Sequence, residues 1–181
     1  MDDKRARFEA LVLPHLDAAH RFARWLCRSP DEADDVVQDA FLRAYRGFET
    51  LRGGDVKAWL LTIVRNCHAT AARQRQRRAT VPLPEEGIEA MPAAALVEVN
   101  DPESASAAAD ERRALARLVA TLPEEQRQVL LLRELEDMSY REIATVTQVP
   151  VGTVMSRLAR ARTALRGEWE RQLTGESRAL R

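Results

Sequence analysis

The chain has 181 residues, with 28 basic and 28 acidic side chains that give a formal net charge of +0. No stretch approaches the roughly 20 apolar residues of a membrane-spanning helix, and the charged N-terminus lacks the apolar core of a signal peptide. Two cysteines exclude a disulfide framework and favour a reducing, cytoplasmic setting. We therefore expect a folded protein without direct membrane insertion, and abundant Ala, Leu, Arg and Glu favour helices.

The first two predicted helices have boundaries marked by proline, serine and glycine. Pro14 interrupts an apolar repeat over residues 5–28 and is expected to split or kink that helix. Ser29 is a good N-cap for the second helix, and Glu32 completes a capping box with it. The second helix is predicted to end near Gly47. Its apolar face comprises Ala33, Val36, Val37, Ala40, Phe41, Ala44 and Tyr45.

A third helix is predicted from about Val56 to Arg78, after a turn at Gly53 and Gly54. Its apolar side chains recur at helical spacing and supply a third packing surface. The three helices are expected to close one small all-α domain over residues 1–79.

The composition changes abruptly over residues 80–111. Proline and alanine are frequent, helical periodicity is weak, and every charged residue between positions 85 and 111 is acidic. We expect a flexible acidic linker here. A second helical domain is predicted over residues 112–171, followed by a tail at 172–181. The predicted fold class is therefore all-α, with two small helical domains joined by this linker.

The second domain contains a helix-turn-helix pattern. Ser139 and Glu142 form a capping box that opens a short helix, and Pro150 stands at the start of a longer basic helix. Turning Val154 and Leu158 inward exposes a face that suits the DNA major groove. That face comprises Thr153, Met155, Ser156, Arg157, Ala159 and Arg160. The alternative is a plain helical hairpin with a charged exterior.

Net neutrality conceals strong charge segregation. Residues 56–84 and 151–167 carry only basic charges, whereas residues 29–39 and 85–111 carry only acidic ones. A basic stripe is a footprint for nucleic-acid phosphates. It is equally consistent with a solvated helix face.

The third helix combines an aromatic side chain, an amide and several arginines. This combination suits single-stranded DNA, where bases stack and the backbone follows a basic track. The residues concerned are Trp59, Asn66, Thr70, Arg73, Arg75, Arg77 and Arg78. The alternatives are core packing for Trp59 and simple solvent exposure for Asn66.

The second helix has another stripe beside its apolar face. It is formed by Asp35, Gln38, Asp39, Leu42 and Arg46. An exposed leucine ringed by acids is typical of a protein contact, although an ordinary solvated face fits the pattern as well.

The sequence shows neither a catalytic nor a metal-binding pattern. The spacing of Cys27, Cys67 and His68, with His15 and His20, matches no zinc motif. No nucleophile–base pair or phosphate-binding glycine loop stands out. We therefore expect no cofactor, no metal and no enzymatic activity.

Four segments together follow the motifs of a known family: SPDEADDVVQDAFLRAYRGF, KAWLLTIVRN, TLPEEQRQVLLLRELEDMSYREIA and VPVGTVMSRLARARTALR. In this order and spacing they resemble bacterial RNA polymerase sigma factors of the extracytoplasmic-function (ECF) group, over residues 10–79 and 112–167. The resemblance implies a region 2 that binds the polymerase clamp and the melted −10 element. It also implies a region 4 that binds the polymerase flap and the −35 element, and an anti-sigma factor as a further partner.

The resemblance assigns side chains by position to three surfaces. The polymerase-binding set is Asp35, Gln38, Asp39 and Leu42. The loop at 48–55, Asn66 and Thr70 fall on the −10 surface, and the same helix completes the −10 set of Trp59, Arg65, Asn66, Thr70, Arg73, Arg77 and Arg78. The −35 set is the exposed face of the basic helix given above.

Four positions depart from the family pattern. One of them is Asp137, which replaces a frequent helix-ending glycine, although aspartate tolerates the left-handed conformation better than most residues. Thr70 stands where an amide or acid is frequent, so the two-point amide contact with a base is lost. Gln148 stands where the turn often has glycine, and a left-handed conformation there costs about 1–2 kcal/mol. Met155 replaces a frequent basic residue and removes one possible DNA contact.

Two other functions stay open at this point. One is a helix-turn-helix regulator that acts without core polymerase. The other is a sigma mimic that occupies an anti-sigma factor without starting transcription.

Overall fold

The computed structural model describes residues 2–51, 53–79 and 107–179, with side chains for residues 3–51, 53–77 and 114–171. All regular structure within these ranges is helical. The predicted linker lies outside the described residues up to position 106. The flexibility of that segment therefore stays a prediction.

The N-terminal half contains four helices: α1 (Asp2–Val12), α2 (Leu16–Leu26), α3 (Pro30–Gly47) and α4 (Val56–Ala79). The predicted interruption at Pro14 is confirmed, since a single 3-10 turn separates α1 from α2. Ser29 caps α3 as predicted, with its Oγ accepting the Glu32 N–H at 3.2 Å. The Glu32 carboxylate accepts the N–H of Arg28 rather than that of Ser29.

The C-terminal half also contains four helices: α5 (Ala107–Ala120), α6 (Glu124–Glu134), α7 (Tyr140–Thr147) and α8 (Val151–Ala179). The predicted capping box of Ser139 and Glu142 is present in full. Gln148 adopts the expected left-handed conformation between α7 and α8, with φ of 56°. Helix α5 begins within the range assigned to the linker, and α8 extends to Ala179, within the range assigned to the tail.

The two halves pack against each other. Helix α4 lies on α7, and α2 lies on α6. Buried apolar side chains from both halves form one continuous core, in which Leu60 and Leu61 of α4 and Leu132 and Ile143 of the C-terminal half are fully buried. The sequence predicts both helical bodies, whereas their mutual contact is a finding of the structure.

Two aromatic side chains of the N-terminal half lie differently from expectation. Tyr45, predicted on the apolar face of α3, is 40% exposed; its ring meets Phe8 edge-on and lies under the Lys4 ammonium. Phe48, predicted within a DNA-facing loop, is buried against Phe8 because a 3-10 turn directs its ring inward.

None of the described helices has the length and hydropathy that crossing a bilayer requires.

Candidate functional site

Helix α8 presents the predicted DNA-reading face to solvent. Val154 and Leu158 are buried against the rest of the C-terminal half, and this fixes the rotation of the helix. Met155, Ala159 and Arg160 are exposed on the opposite side. We call the six residues Thr153, Met155, Ser156, Arg157, Ala159 and Arg160 the recognition face.

Part of the recognition face is already hydrogen-bonded within the C-terminal half. Arg157 is largely covered and forms an ion pair with Glu125 of α6 at 2.5 Å. The Ser156 hydroxyl donates to the carbonyl oxygen of Thr153 at 3.0 Å. Arg160, by contrast, remains exposed to solvent.

Helix α4 has an outer stripe formed by Trp59, Asn66, Thr70, Arg73 and Arg77. These positions share one side of the helix, since each residue advances by about 100°. Arg73 and Arg77 are exposed, whereas the other three are half-buried. Trp59 packs against the core, which is the alternative that the sequence left open for this residue. The Thr70 hydroxyl donates to the Asn66 carbonyl at 2.9 Å.

Arg65, a member of the predicted −10 set, contacts both the outer stripe and the C-terminal half. Its Nη1 donates to Oδ1 of Asn66 at 3.5 Å. Arg65 lies with Lys57, Leu61 and His68 on an inner stripe that faces the C-terminal half. Its Nε donates to Oε1 of Gln128 on α6 at 3.2 Å. The guanidinium therefore bridges Asn66 of α4 and Gln128 of α6, and its role at the −10 element stays a prediction. The side chain of Arg78 lies outside the described residues.

The predicted polymerase-binding set lies on the surface of α3. Asp35, Gln38 and Leu42 are exposed, and Leu42 has 53% of its surface open to solvent. Asp39 is partly covered and forms an ion pair with Arg43 at 2.8 Å. A pocket of about 250 Å³ lies beside this set and is lined by both Asp39 and Thr70. The α3 set and the outer stripe of α4 are thus neighbouring surfaces.

Comparison with known proteins identifies the family of the two helical halves. A family model described as Sigma-70 region 2 matches residues 11–78, and one described as Sigma-70, region 4 matches residues 112–165. The ECF RNA polymerase sigma-E factor of Escherichia coli is 36% identical over 172 residues, which covers 90% of this chain and 86% of that protein. The chain is an ECF sigma factor of the sigma-70 family. It is a promoter-specificity subunit that binds core RNA polymerase.

Two further proteins are similar to this sigma factor. The RNA polymerase sigma-H factor of Pseudomonas aeruginosa is 37% identical, with 90% of this chain and 86% of that protein covered. The solved structure of the sigma factor RpoE from Bartonella quintana, in complex with the anti-sigma factor NepR, matches with a TM-score of 0.71. That match has 26% identity and covers 91% of this chain and 97% of that one.

Region 2 and region 4 of this sigma factor are joined by a buried carboxylate. The side chain of Glu136, in the connection between α6 and α7, is only 2% exposed. It accepts two hydrogen bonds from Arg21 at 2.9 and 3.1 Å and pairs with Lys57 at 2.8 Å. Lys57 also donates to the Glu136 backbone carbonyl at 2.8 Å. We call Arg21, Lys57 and Glu136 the joint. The sequence did not predict it, because no local pattern links positions so far apart.

A second polar layer at the joint surrounds His68. Its Nδ1 lies 3.7 Å from the Cys27 sulfur, and its Nε2 lies 3.4 Å from a carboxylate oxygen of Glu124 in region 4. The contact with His68 holds the pKa of Glu124 below its usual value. Burial raises the pKa of Cys27 to about 12 and that of Cys67 to about 11, so both are thiols at neutral pH.

Proposed function

We propose that region 4 reads duplex −35 DNA with the recognition face of α8. The observation that carries this proposal is the exposure of Met155, Ala159 and Arg160 directly above the buried Val154 and Leu158. A helix held in this way enters the major groove with its N-terminal half toward the bases. An arginine there binds guanine O6 and N7 with two hydrogen bonds, and Ala159 allows close approach.

Region 2 is proposed to take up bases of the melted −10 strand along the outer stripe of α4. Arg73 and Arg77 are exposed and follow the phosphates, while the Asn66 amide lies between them and Trp59. Thr70 contributes less to base selection, since its hydroxyl already donates to a backbone carbonyl. The exposed Leu42 and its neighbours on α3 are proposed to bind the polymerase clamp.

The two DNA surfaces act together only when polymerase holds them. Each carries few free arginines and neutralises few phosphates, so the isolated chain is expected to bind DNA weakly. Core polymerase fixes the spacing of regions 2 and 4, and each contact then raises the effective concentration of the other. This sigma factor performs no chemistry of its own in this scheme and acts in the cytoplasm.

An anti-sigma factor is proposed as a further partner. The support is the similarity to the Bartonella quintana sigma factor, whose structure contains one. The packed joint around Glu136 fits such control, since it presents both regions as one body to a partner.

Run-off transcription with purified core polymerase tests the proposal as a whole. We expect specific transcripts only when the chain, core polymerase and a promoter containing both elements are present. Tight and selective promoter binding by the chain alone would support a helix-turn-helix regulator instead. Binding to core polymerase without any transcript, on a promoter set selected from genomic DNA, would support a sigma mimic.

A further inference from the structure

Three potential metal ligands from three different helices meet beneath the joint. Cys27 is the C-cap residue of α2, Glu32 lies in the first turn of α3, and His68 lies in the middle of α4. Their ligand atoms all lie within 4.8 Å of one another. Cys27 and His68 are almost completely buried, so the group is held by the core rather than by mobile surface side chains.

The chemistry of this group matches a divalent transition metal. Zn²⁺ takes thiolate sulfur, imidazole nitrogen and carboxylate oxygen as ligands, and three protein ligands leave a fourth position open. Two such ligands on one tetrahedral ion lie about 3.5 Å apart, given Zn–S and Zn–N bonds of about 2.3 and 2.0 Å. The distance of 3.7 Å between the Cys27 sulfur and His68 Nδ1 already approaches that value.

The second nitrogen of His68 has the partner that a metal-bound histidine requires. A ligating imidazole generally donates its other N–H to a carboxylate or carbonyl, which fixes its orientation. His68 Nε2 faces Glu124 at 3.4 Å, and Glu124 is itself held by the Gln128 amide at 2.8 Å. This leaves Nδ1, on the Cys27 side, for a metal.

Glu32 is available to such an ion through one oxygen. Its Oε2 accepts the Arg28 N–H, while Oε1 is buried and lies beside the Arg75 guanidinium in an ion pair without hydrogen-bond geometry. The Arg75 side chain is 37% exposed and therefore has solvent into which it can withdraw. A cation at the site would take the place of Arg75 as the partner of this carboxylate.

We propose that Cys27, Glu32 and His68 form a binding site for Zn²⁺ or a similar divalent transition metal. Glu124 supplies the outer hydrogen bond to His68 from region 4, so metal binding favours the packed arrangement of the two regions. The inference does not depend on which promoter sequences are read. Sequence spacing alone could not show the site, because its three ligands meet only through the packing of α2, α3 and α4.

Cobalt titration of the metal-free, full-length chain tests the site directly. We expect one Co²⁺ per chain with a thiolate-to-cobalt charge-transfer band, displaced by one equivalent of Zn²⁺. Cys27→Ser should abolish the band, whereas Cys67→Ser, which alters the other buried cysteine, should retain it. Absence of stoichiometric binding to the wild-type chain at micromolar Co²⁺ and Zn²⁺ would overturn the proposal, as would loss of the band in Cys67→Ser but not in Cys27→Ser.

The proposed link between metal binding and region 4 is tested at the contact of His68 with Glu124. Glu124→Gln should weaken Zn²⁺ affinity by about 10–100-fold, the usual cost of losing an outer-shell carboxylate. Glu125→Gln is the matched control, because Glu125 faces Arg157 and not His68. Circular dichroism and thermal melting of each variant identify any that fails to fold. Equal affinities in folded Glu124→Gln and Glu125→Gln would overturn the coupling to region 4.

Discussion

Each proposed DNA surface has one arginine that is paired with an α6 side chain. The partner belongs to the same region on one surface and to the other region on the second. On α8, Arg157 pairs with Glu125 of the same region, so its position does not depend on region 2. On α4, which belongs to region 2, Arg65 donates a hydrogen bond to Gln128 of region 4. The position of Arg65 therefore depends on the packing of the two regions, whereas the position of Arg157 depends on region 4 alone.

The difference arises because α4 packs against both regions. Its inner stripe contacts region 4, and other sides pack on α2 and α3, while Arg73 and Arg77 of the outer stripe stay exposed. Helix α8 packs on α6 and α7 within its own region and keeps its recognition face open. We therefore expect access to the melted −10 strand to be more sensitive to the arrangement of the regions than reading of the −35 duplex.

The largest effect is expected from removing the buried charge of Glu136, which holds the two regions together. Glu136→Gln leaves Arg21 and Lys57 without their buried carboxylate and should lower the free energy of unfolding by about 3 kcal/mol. Small-angle scattering should show a larger radius of gyration. Glu134→Gln is the control, because its ion pair with Arg162 is about half exposed on both sides and is worth under about 1 kcal/mol. Equal effects of both changes would contradict the role of the joint.

Arg160, the exposed arginine of the recognition face, provides a test of the proposed DNA surface of region 4. Arg160→Ala should reduce −35-dependent run-off transcription about 30-fold, equivalent to about 2 kcal/mol for one lost bidentate contact. Affinity for core polymerase should stay unchanged. Arg166→Ala, exposed farther along α8, is the control. A parallel loss of transcription and polymerase binding in Arg160→Ala would remove this residue from the DNA interface.

Variants on the exposed surface of α3 test polymerase binding separately from DNA binding. Asp39→Ala combined with Leu42→Ala should weaken binding to core polymerase about tenfold, through loss of a charge contact and about 1 kcal/mol of apolar burial. The control is Asp17→Ala with Leu11→Ala, which removes an acid and an exposed leucine elsewhere in region 2. A pull-down with purified core enzyme measures both. Unchanged affinity in the first double variant would exclude this surface.

The smallest expected effect concerns the turn that positions α8. Gln148→Gly relieves a left-handed conformation at φ 56° and should raise the free energy of unfolding by about 1 kcal/mol. Thr145→Gly, at an exposed position inside α7, should lower it by a few tenths of a kcal/mol. Thermal denaturation measures the two opposite shifts. A loss of stability in Gln148→Gly would show that the glutamine side chain supports the turn.

Sequence was sufficient for features that depend on neighbouring residues. Pro14, Ser29 and the Ser139–Glu142 capping box mark helix boundaries because their hydrogen bonds span at most one helical turn. Helical periodicity likewise predicted which side of α8 is buried. The order and spacing of the four family motifs were enough to indicate a sigma factor, since such motifs can be recognised in the sequence without knowledge of the fold.

Only the tertiary structure decided how the two regions meet. Arg21 and Glu136 are 115 positions apart, and Cys27 and His68 are 41 apart, so no local spacing predicts either contact. Arg65 and Asn66 are adjacent in sequence, yet one faces region 4 and the other lies on the outer stripe, since packing of α4 on α7 fixes the rotation of the helix. Helix formation is driven by local hydrogen bonds and periodicity, whereas the choice of face depends on the partner against which the helix is buried.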